Sequence, residues 1–240
     1  MSMGRSKPWL LALDLSGPRG MVVLEGEGAL FSREVEGGSR VSQLFEAARE
    51  AMSEAGRSMQ DIGLIGVGRG PGSFTGVRVG VMAAKALSDV LGVPLVAPDS
   101  LETLCIEAEG RAERVVVVMD AKRGQVYYGF YRLDKGRPEV EEGPGVAGPE
   151  QLAERISAWR GNFADGTAII GTGLDAFPDA WPSDLPRIEG HSPTPRGLAR
   201  LCRAYEAEGK FNHPLELLPL YIRRPDARER AAGGKGEGCG

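Results

Sequence analysis

The segment Gly68-Arg69-Gly70-Pro71-Gly72-Ser73-Phe74-Thr75 carries the densest chemistry in the chain. Its glycines let the backbone take positive φ and turn amides inward, and Ser73 or Thr75 can cap a following helix, so the loop suits an anion such as phosphate. The same glycines also suit a tight reversal in which two backbones touch, and both readings stand. Asp14 and Asp120 each end an apolar run. Facing one cleft, the two carboxylates could hold a magnesium–phosphate complex; aspartate is equally a turn residue after a strand.

Familiar patterns do not match the loop. No Gly-Lys-Ser/Thr follows it, so it is not a Walker loop. The dinucleotide pattern breaks at Ser73 and Pro71, although Asp99 after the next strand keeps a dinucleotide module as an alternative. A nucleophile elbow around Ser73 needs glycine where Pro71 and Thr75 stand. His191 and His213 read as loop residues. Cys105, Cys202 and Cys239 are odd in number and lack a Cys-x-x-Cys pair, which fits a reducing compartment and not zinc. Tyr127, Tyr128 and Tyr131 could stack bases, but their alternation points first to sheet packing.

The elements that position these residues follow from periodicity. Strands are expected at 9–15, 21–24 and 29–35, an opening antiparallel meander. Val41, Leu44, Phe45, Ala48, Met52 and Ala55 recur at helical steps, and Gly56 stops that helix. Strand 62–67, the glycine loop, a helix over 75–91 and a strand from Leu95 make a βαβ unit with the loop at the strand's carboxyl end. Strands at 115–120 and 125–132 restart the theme, followed by a helix at 149–159, a strand at 167–170 and a helix at 195–208. The boundary is expected near Gly110, giving lobes 1–110 and 111–225 and a disordered tail over 226–240. Too much of helix 75–91 is apolar for a one-sided surface helix. It is either buried in its own lobe or lends a face to another chain, with Gly80, Ala83, Ala84 and Ala86 allowing close approach.

Composition narrows the classes. Thirty-five of 240 residues are glycine, about twice the usual share of roughly 7%. With 29 basic and 33 acidic side chains the formal charge is −4, which argues against an autonomous nucleic-acid binder. The longest apolar run, Val115 to Met119, is far too short to span a bilayer, and Asp14 interrupts the first apolar run before it makes a signal-peptide core. A cytoplasmic protein with no membrane partner is expected.

The glycine segment, continued through Gly76-Val77-Arg78, closely resembles the TsaB (YeaZ-type) family. Leu13-Asp14-Leu15-Ser16, Val93-Pro94-Leu95-Val96, Ser100-Leu101-Glu102, Asp120-Ala121-Lys122-Arg123-Gly124-Gln125-Val126-Tyr127 and Pro219-Leu220-Tyr221-Ile222-Arg223 extend the match from about residue 10 to 225. The resemblance implies an α/β, actin-like ATPase (ribonuclease H-like) fold with two lobes of mixed sheet flanked by helices. It implies a non-catalytic subunit that pairs with the catalytic paralogue TsaD, and works with the ATPase TsaE, to make N6-threonylcarbamoyladenosine beside the anticodon of tRNA. TsaD carries a metal-binding His-x-x-x-His where this chain has Ser100 and Leu104, so no metal site and no activity of its own is expected. Expected too are tRNA contact through the complex, a homodimer when alone, and no cofactor of its own, with ATP or ADP acting at the level of the complex. Many relatives open the first helix with His-Ser/Thr; here stands Arg40-Val41-Ser42.

Two sets of residues are therefore expected to matter. Asp14, Gly68, Arg69, Gly70, Gly72, Ser73, Thr75 and Asp120 would form a nucleotide or phosphate loop. Leu44, Ala48, Met52, Arg78, Val79, Met82, Ala83 and Ala86 would form the partner interface. The alternative is an independent small-molecule kinase or nucleotide hydrolase using Asp14, Asp120 and the loop.

Overall fold

The structure is a computed structural model that describes residues 8–36, 41–161, 166–190 and 192–223. Arg40, His191 and the tail expected to be disordered at 226–240 lie outside the described residues. Two five-stranded mixed sheets make up the fold. In the first, β1 (Trp9–Asp14), β2 (Arg19–Gly26) and β3 (Ala29–Glu36) form the antiparallel meander; α1 (Val41–Glu54), β4 (Ile62–Val67), α2 (Phe74–Leu91) and β5 (Leu95–Val96) follow, with β4 and β5 parallel to β1. The spatial order is β3-β2-β1-β4-β5.

After α3 (Ser100–Cys105) the plan repeats with β6 (Arg114–Lys122), β7 (Gln125–Asp134), β8 (Arg137–Ala147), α4 (Pro149–Arg160), β9 (Thr167–Ile170), α5 (Gly173–Ala176) and β10 (Arg187–Ile188), and α6 (Pro195–Ala207) closes it. The second order, β10-β9-β6-β7-β8, is the same connectivity read from the other edge. A duplicated sheet of this order is the actin-like, ribonuclease H-like arrangement. The halves lack a visible residue repeat because topology needs only the alternation of apolar strands and amphipathic helices, not shared identities.

Each central strand is apolar on both faces because each sheet is covered twice. Leu11 and Leu13 of β1 meet Leu44, Ala48, Met52, Val77, Val81 and Ala84 from α1 and α2. Leu10 and Ala12, on the other face, meet Leu198, Ala199 and Cys202 of α6. Val116 and Val118 of β6 face Leu152 and Ile156 of α4, while Val115 and Val117 face Leu101, Leu104 and Cys105 of α3. A leucine fully buried in this way contributes about 1.5–3 kcal/mol.

The chain order and the packing therefore cross. α3 precedes Gly110 yet covers the second sheet, and α6 follows it yet covers the first. They also bind each other between the sheets, where the Tyr205 hydroxyl donates to Glu102 at 2.5 Å. The expected division at Gly110 sorts the strands but not these helices.

Strand β8 was not expected from the sequence. Pro138, Pro144 and the acids Glu139, Glu141 and Glu142 disfavour a central strand, but β8 is an edge strand, where a missing amide and exposed charges are tolerated. Among the described residues no helix is long and apolar enough to cross a membrane.

Candidate functional site

The glycine loop leaves β4 and turns back against the end of β1. The Gly68 amide donates to the Leu13 carbonyl at 2.8 Å, the Arg69 amide to Pro98 at 3.1 Å and the Ser73 amide to Ser16 at 2.8 Å. A Cβ on Gly68 would sit 2.0 Å from Asp14 Oδ2, one on Gly72 2.3 Å from the Ser16 carbonyl oxygen, and one on Gly76 2.0 Å from the Leu15 carbonyl oxygen. Gly70 takes φ +94°, and its carbonyl accepts from the Ser100 amide at 2.9 Å. The glycines thus serve close backbone approach. The amides of Gly68, Arg69 and Ser73 are spent on protein carbonyls, so this part of the loop clasps two strands together. Ser73, not Thr75, caps α2: its Oγ accepts from the Gly76 amide at 3.2 Å.

The two carboxylates do not meet in one cleft, contrary to expectation. Asp14 is only 2% exposed. Its Oδ1 accepts from the Ser16 amide at 2.7 Å and its Oδ2 from the Ser100 hydroxyl at 2.9 Å. Burial pushes this carboxyl above its ordinary range, against the downward pull of the Ser16 and Ser100 hydrogen bonds. Asp120 lines the interlobe cleft and pairs with Lys122 Nζ at 2.6 Å, while its amide donates to Thr172 Oγ1 at 2.9 Å. A magnesium–phosphate clamp, and with it the kinase alternative, loses one of its two acids. Among the described residues no group of three or more His, Cys, Asp or Glu side chains is placed to hold a metal ion.

Asp99 is likewise committed. Burial raises its pKa, yet Arg69 Nε donates to its Oδ1 at 2.6 Å and opposes that shift. The dinucleotide alternative loses its free acid. Ser100 and Leu104 are fully buried; one holds Asp14 and the other belongs to the core of the second sheet.

Two surface features remain. The first is a cleft of about 1060 Å³ between the lobes, lined by Ser16, Phe74, Asp120, Lys122, Arg123, Thr172, Tyr221 and Arg223 among others. Gly72 and Ser73 line it too, so three of the site residues singled out from sequence, Gly72, Ser73 and Asp120, reach the cleft; the turn Lys122-Arg123-Gly124 was legible as a turn but not as a cleft wall. The second is an apolar groove of about 330 Å³ between α1 and α2, lined by Val41, Phe45, Arg78, Val79, Met82, Ala83 and Ala86.

Here the expected interface needs correcting. Leu44, Ala48, Met52 and Ala83 are 0%, 1%, 6% and 7% exposed and pack into the first sheet's own core. Gly80 faces Leu15, and Ala84 is buried with it, so these two small residues admit the protein's own sheet and not a foreign helix. On α1 and α2 the large apolar side chains left exposed are Val41, Phe45, Met82 and, beyond the groove, Phe74 and Val90.

Fold and sites together define a two-lobed protein of the actin-like class with an interlobe cleft and an apolar helical face on the first lobe. Residues 39–164 match the family described as tRNA N6-adenosine threonylcarbamoyltransferase, TsaD. The tRNA threonylcarbamoyladenosine biosynthesis protein TsaB of Escherichia coli K12 is 30% identical over 232 residues, covering 93% of this chain and 98% of that protein. TsaB of Bacillus subtilis is 40% identical over 90 residues, 38% of this chain and 39% of that one. The solved structure of YeaZ from Pseudomonas aeruginosa superposes with a TM-score of 0.77 at 29% identity, covering 89% of this chain and 99% of that chain. The chain belongs to the TsaB (YeaZ) family.

Proposed function

We propose that the chain is a non-catalytic subunit in the synthesis of threonylcarbamoyladenosine in tRNA, working in the cytoplasm as the partner of a TsaD-type catalytic subunit. The observation that carries this reading is the exposed apolar face of α1 and α2. Met82 is 63% exposed, Val41 49% and Phe45 39%, around a groove walled by Val79 and Ala86. A contiguous apolar face of this kind fits a second helical face. The occupant is the matching helix pair of a TsaD-type subunit or, when the chain is alone, of a second copy. A TsaE-type ATPase and tRNA join through that assembly, in keeping with the acidic net charge.

The non-catalytic part rests on Ser100 and Leu104. A hydroxyl bonded to Asp14 and a leucine in the core supply no imidazole for a metal. The test is co-purification of the full chain with a TsaD-type subunit, together with reconstituted tRNA modification. Met82→Glu should cut capture by at least about tenfold, a loss of roughly 1.4 kcal/mol or more, and abolish modification while the melting temperature stays unchanged. Undiminished capture would sink the interface assignment, and threonylcarbamoyl transfer by the isolated chain would overturn the non-catalytic one.

A further inference from the structure

Two helices cross between the lobes, and each is bonded to both. α3 begins on the first lobe: the Ser100 amide donates to the Gly70 carbonyl at 2.9 Å and the Ser100 hydroxyl to Asp14 at 2.9 Å. The rest of α3, with Leu101, Leu104 and Cys105, is buried against the second sheet. The residues leading into it are held as well. Ala97 and Asp99 are buried, the Pro98 carbonyl accepts from the Arg69 amide at 3.1 Å, and Asp99 accepts from Arg69 Nε at 2.6 Å.

α6 makes the reverse crossing. Its apolar face, Leu198, Ala199 and Cys202, covers the first sheet, and Arg203 adds bonds to Glu25 at 2.7 Å and to the Pro8 carbonyl at 2.8 Å. Its other face is tied to the second lobe along the whole length. The Thr194 hydroxyl donates to Glu107 at 2.6 Å, Arg200 forms a two-pronged pair with Glu109, and the Tyr205 hydroxyl donates to buried Glu102 at 2.5 Å. Glu208, at the end of the helix, pairs with Arg137 at the head of β8. Glu107 and Glu109 flank Ala108, which is buried in the second sheet's core. At the first turn a Cβ on Gly197 would lie 2.7 Å from Glu107 Oε1 and 3.1 Å from the Thr103 carbonyl oxygen, so the start of α6 sits on α3 without slack.

One exposed ion pair contributes little to stability. Bonds spread over about 20 Å of a single helix nevertheless oppose rotation, because a turn that relaxes one stretches another. Motion between lobes needs a few residues that absorb a change in φ and ψ. Gly190, at φ +139° between β10 and α6, is placed to be such a pivot. The bonds along α6 begin just beyond it and hold it still.

We propose that α6 is a lock: its bonds to the second lobe hold the two lobes as one rigid body and fix the width of the cleft, with Tyr205–Glu102 as the central bolt. A partner seated on the first lobe then meets a second lobe already at its final angle. Release of α6 would free the second lobe to turn about Gly190. α6 lies on the opposite face of the first sheet from α1 and α2, so the lock stands or falls independently of what covers that face.

Pulsed electron–electron double resonance reads the interlobe distance. Nitroxides go on Glu34→Cys of β3 and Glu154→Cys of α4, both exposed positions, in the full chain carrying Cys239→Ser and diluted with unlabelled protein; Cys105 and Cys202 are buried. The parent should give one narrow distribution and, in calorimetry, one unfolding transition. Tyr205→Phe combined with Arg200→Ala should broaden the distribution, add a second peak at a shifted distance, and split the unfolding into two transitions. Tyr205→Phe alone keeps the ring and should broaden the distribution to a lesser degree, which decides the matter if the double variant does not fold. A broad or two-peaked distribution in the parent would overturn the lock. So would an unchanged distribution in the variants, even with a lowered melting temperature, since these contacts would then only stabilise the fold.

Discussion

The two halves run the same strand order yet end in opposite surfaces. In both, the loop after the fourth strand closes on the end of the first strand with glycines. Gly68, Gly72 and Gly76 approach Asp14, Ser16 and Leu15; Gly171 and Gly173 approach Val118. In both, the first strand ends near an aspartate. The first half then spends 18 residues on α2, whereas the second spends four on α5. A helix of five turns has a face to spare after covering its sheet; a single turn does not. The same contrast holds for α1, which exposes Val41 and Phe45, against α4, whose Leu152 and Ile156 turn inward and which exposes no large apolar side chain. A duplicated frame can thus acquire a partner face on one side by lengthening one helix, with the core unchanged.

The aspartates diverge for a related reason. α3 arrives from the first half and its Ser100 seals Asp14, while the position of Asp120 is left open to the cleft and to Lys122. Four further experiments can break or sharpen this contrast. Both clasps should be intolerant: Gly76→Ala in one half and Gly171→Ala in the other place a Cβ 2.0 Å and 2.1 Å from backbone oxygens of Leu15 and Val118, and each should lose about 3 kcal/mol in urea unfolding, Gly171→Ala the more because its φ of +124° is itself strained for alanine. Gly80→Ala, on the same helix, meets nothing closer than 3.6 Å and should gain about 0.5–1 kcal/mol.

Asp14 should make stability depend on pH. Burial raises the Asp14 pKa, so the folded state holds that proton more firmly than the unfolded chain does. Its favourable contribution is complete below the unfolded carboxyl pKa and is lost as pH rises through the folded one. The stability of Asp14→Asn relative to the parent should therefore climb as pH goes from about 4 to 7, measured by urea unfolding along that series. A flat difference would show that Ser16 and Ser100 fully offset the burial. Asp120→Asn, which breaks a pair whose Lys122 is 83% exposed, should change stability by no more than about 0.5 kcal/mol at neutral pH.

Much of the frame was legible beforehand. Strands 62–67 and 167–170 match the structure residue for residue, and α1 and α2 lie within one residue of expectation, because their apolar periods are long and their stops, Gly56 and Gly92, are unambiguous. α3 was missed: it has only six residues, all buried, and a helix surrounded by protein shows no amphipathic period. The candidate sites were legible as locations but not as roles. Leu44 and Phe45 are neighbours in the same apolar pattern, yet one is core and the other surface, since periodicity marks an apolar arc without saying how much of it the protein's own sheet will cover.

The sequence by itself determined the central strands, the long helices, the glycine positions and the family, because these depend on local period, backbone freedom and a long motif. Tertiary structure alone decided that the loop's amides are spent on Leu13, Pro98 and Ser16, that Asp14 is sealed while Asp120 is not, and that α3 and α6 exchange sheets. Those outcomes depend on which distant segment fills the space beside a residue, and desolvation and hydrogen-bond competition act only once that neighbour has arrived.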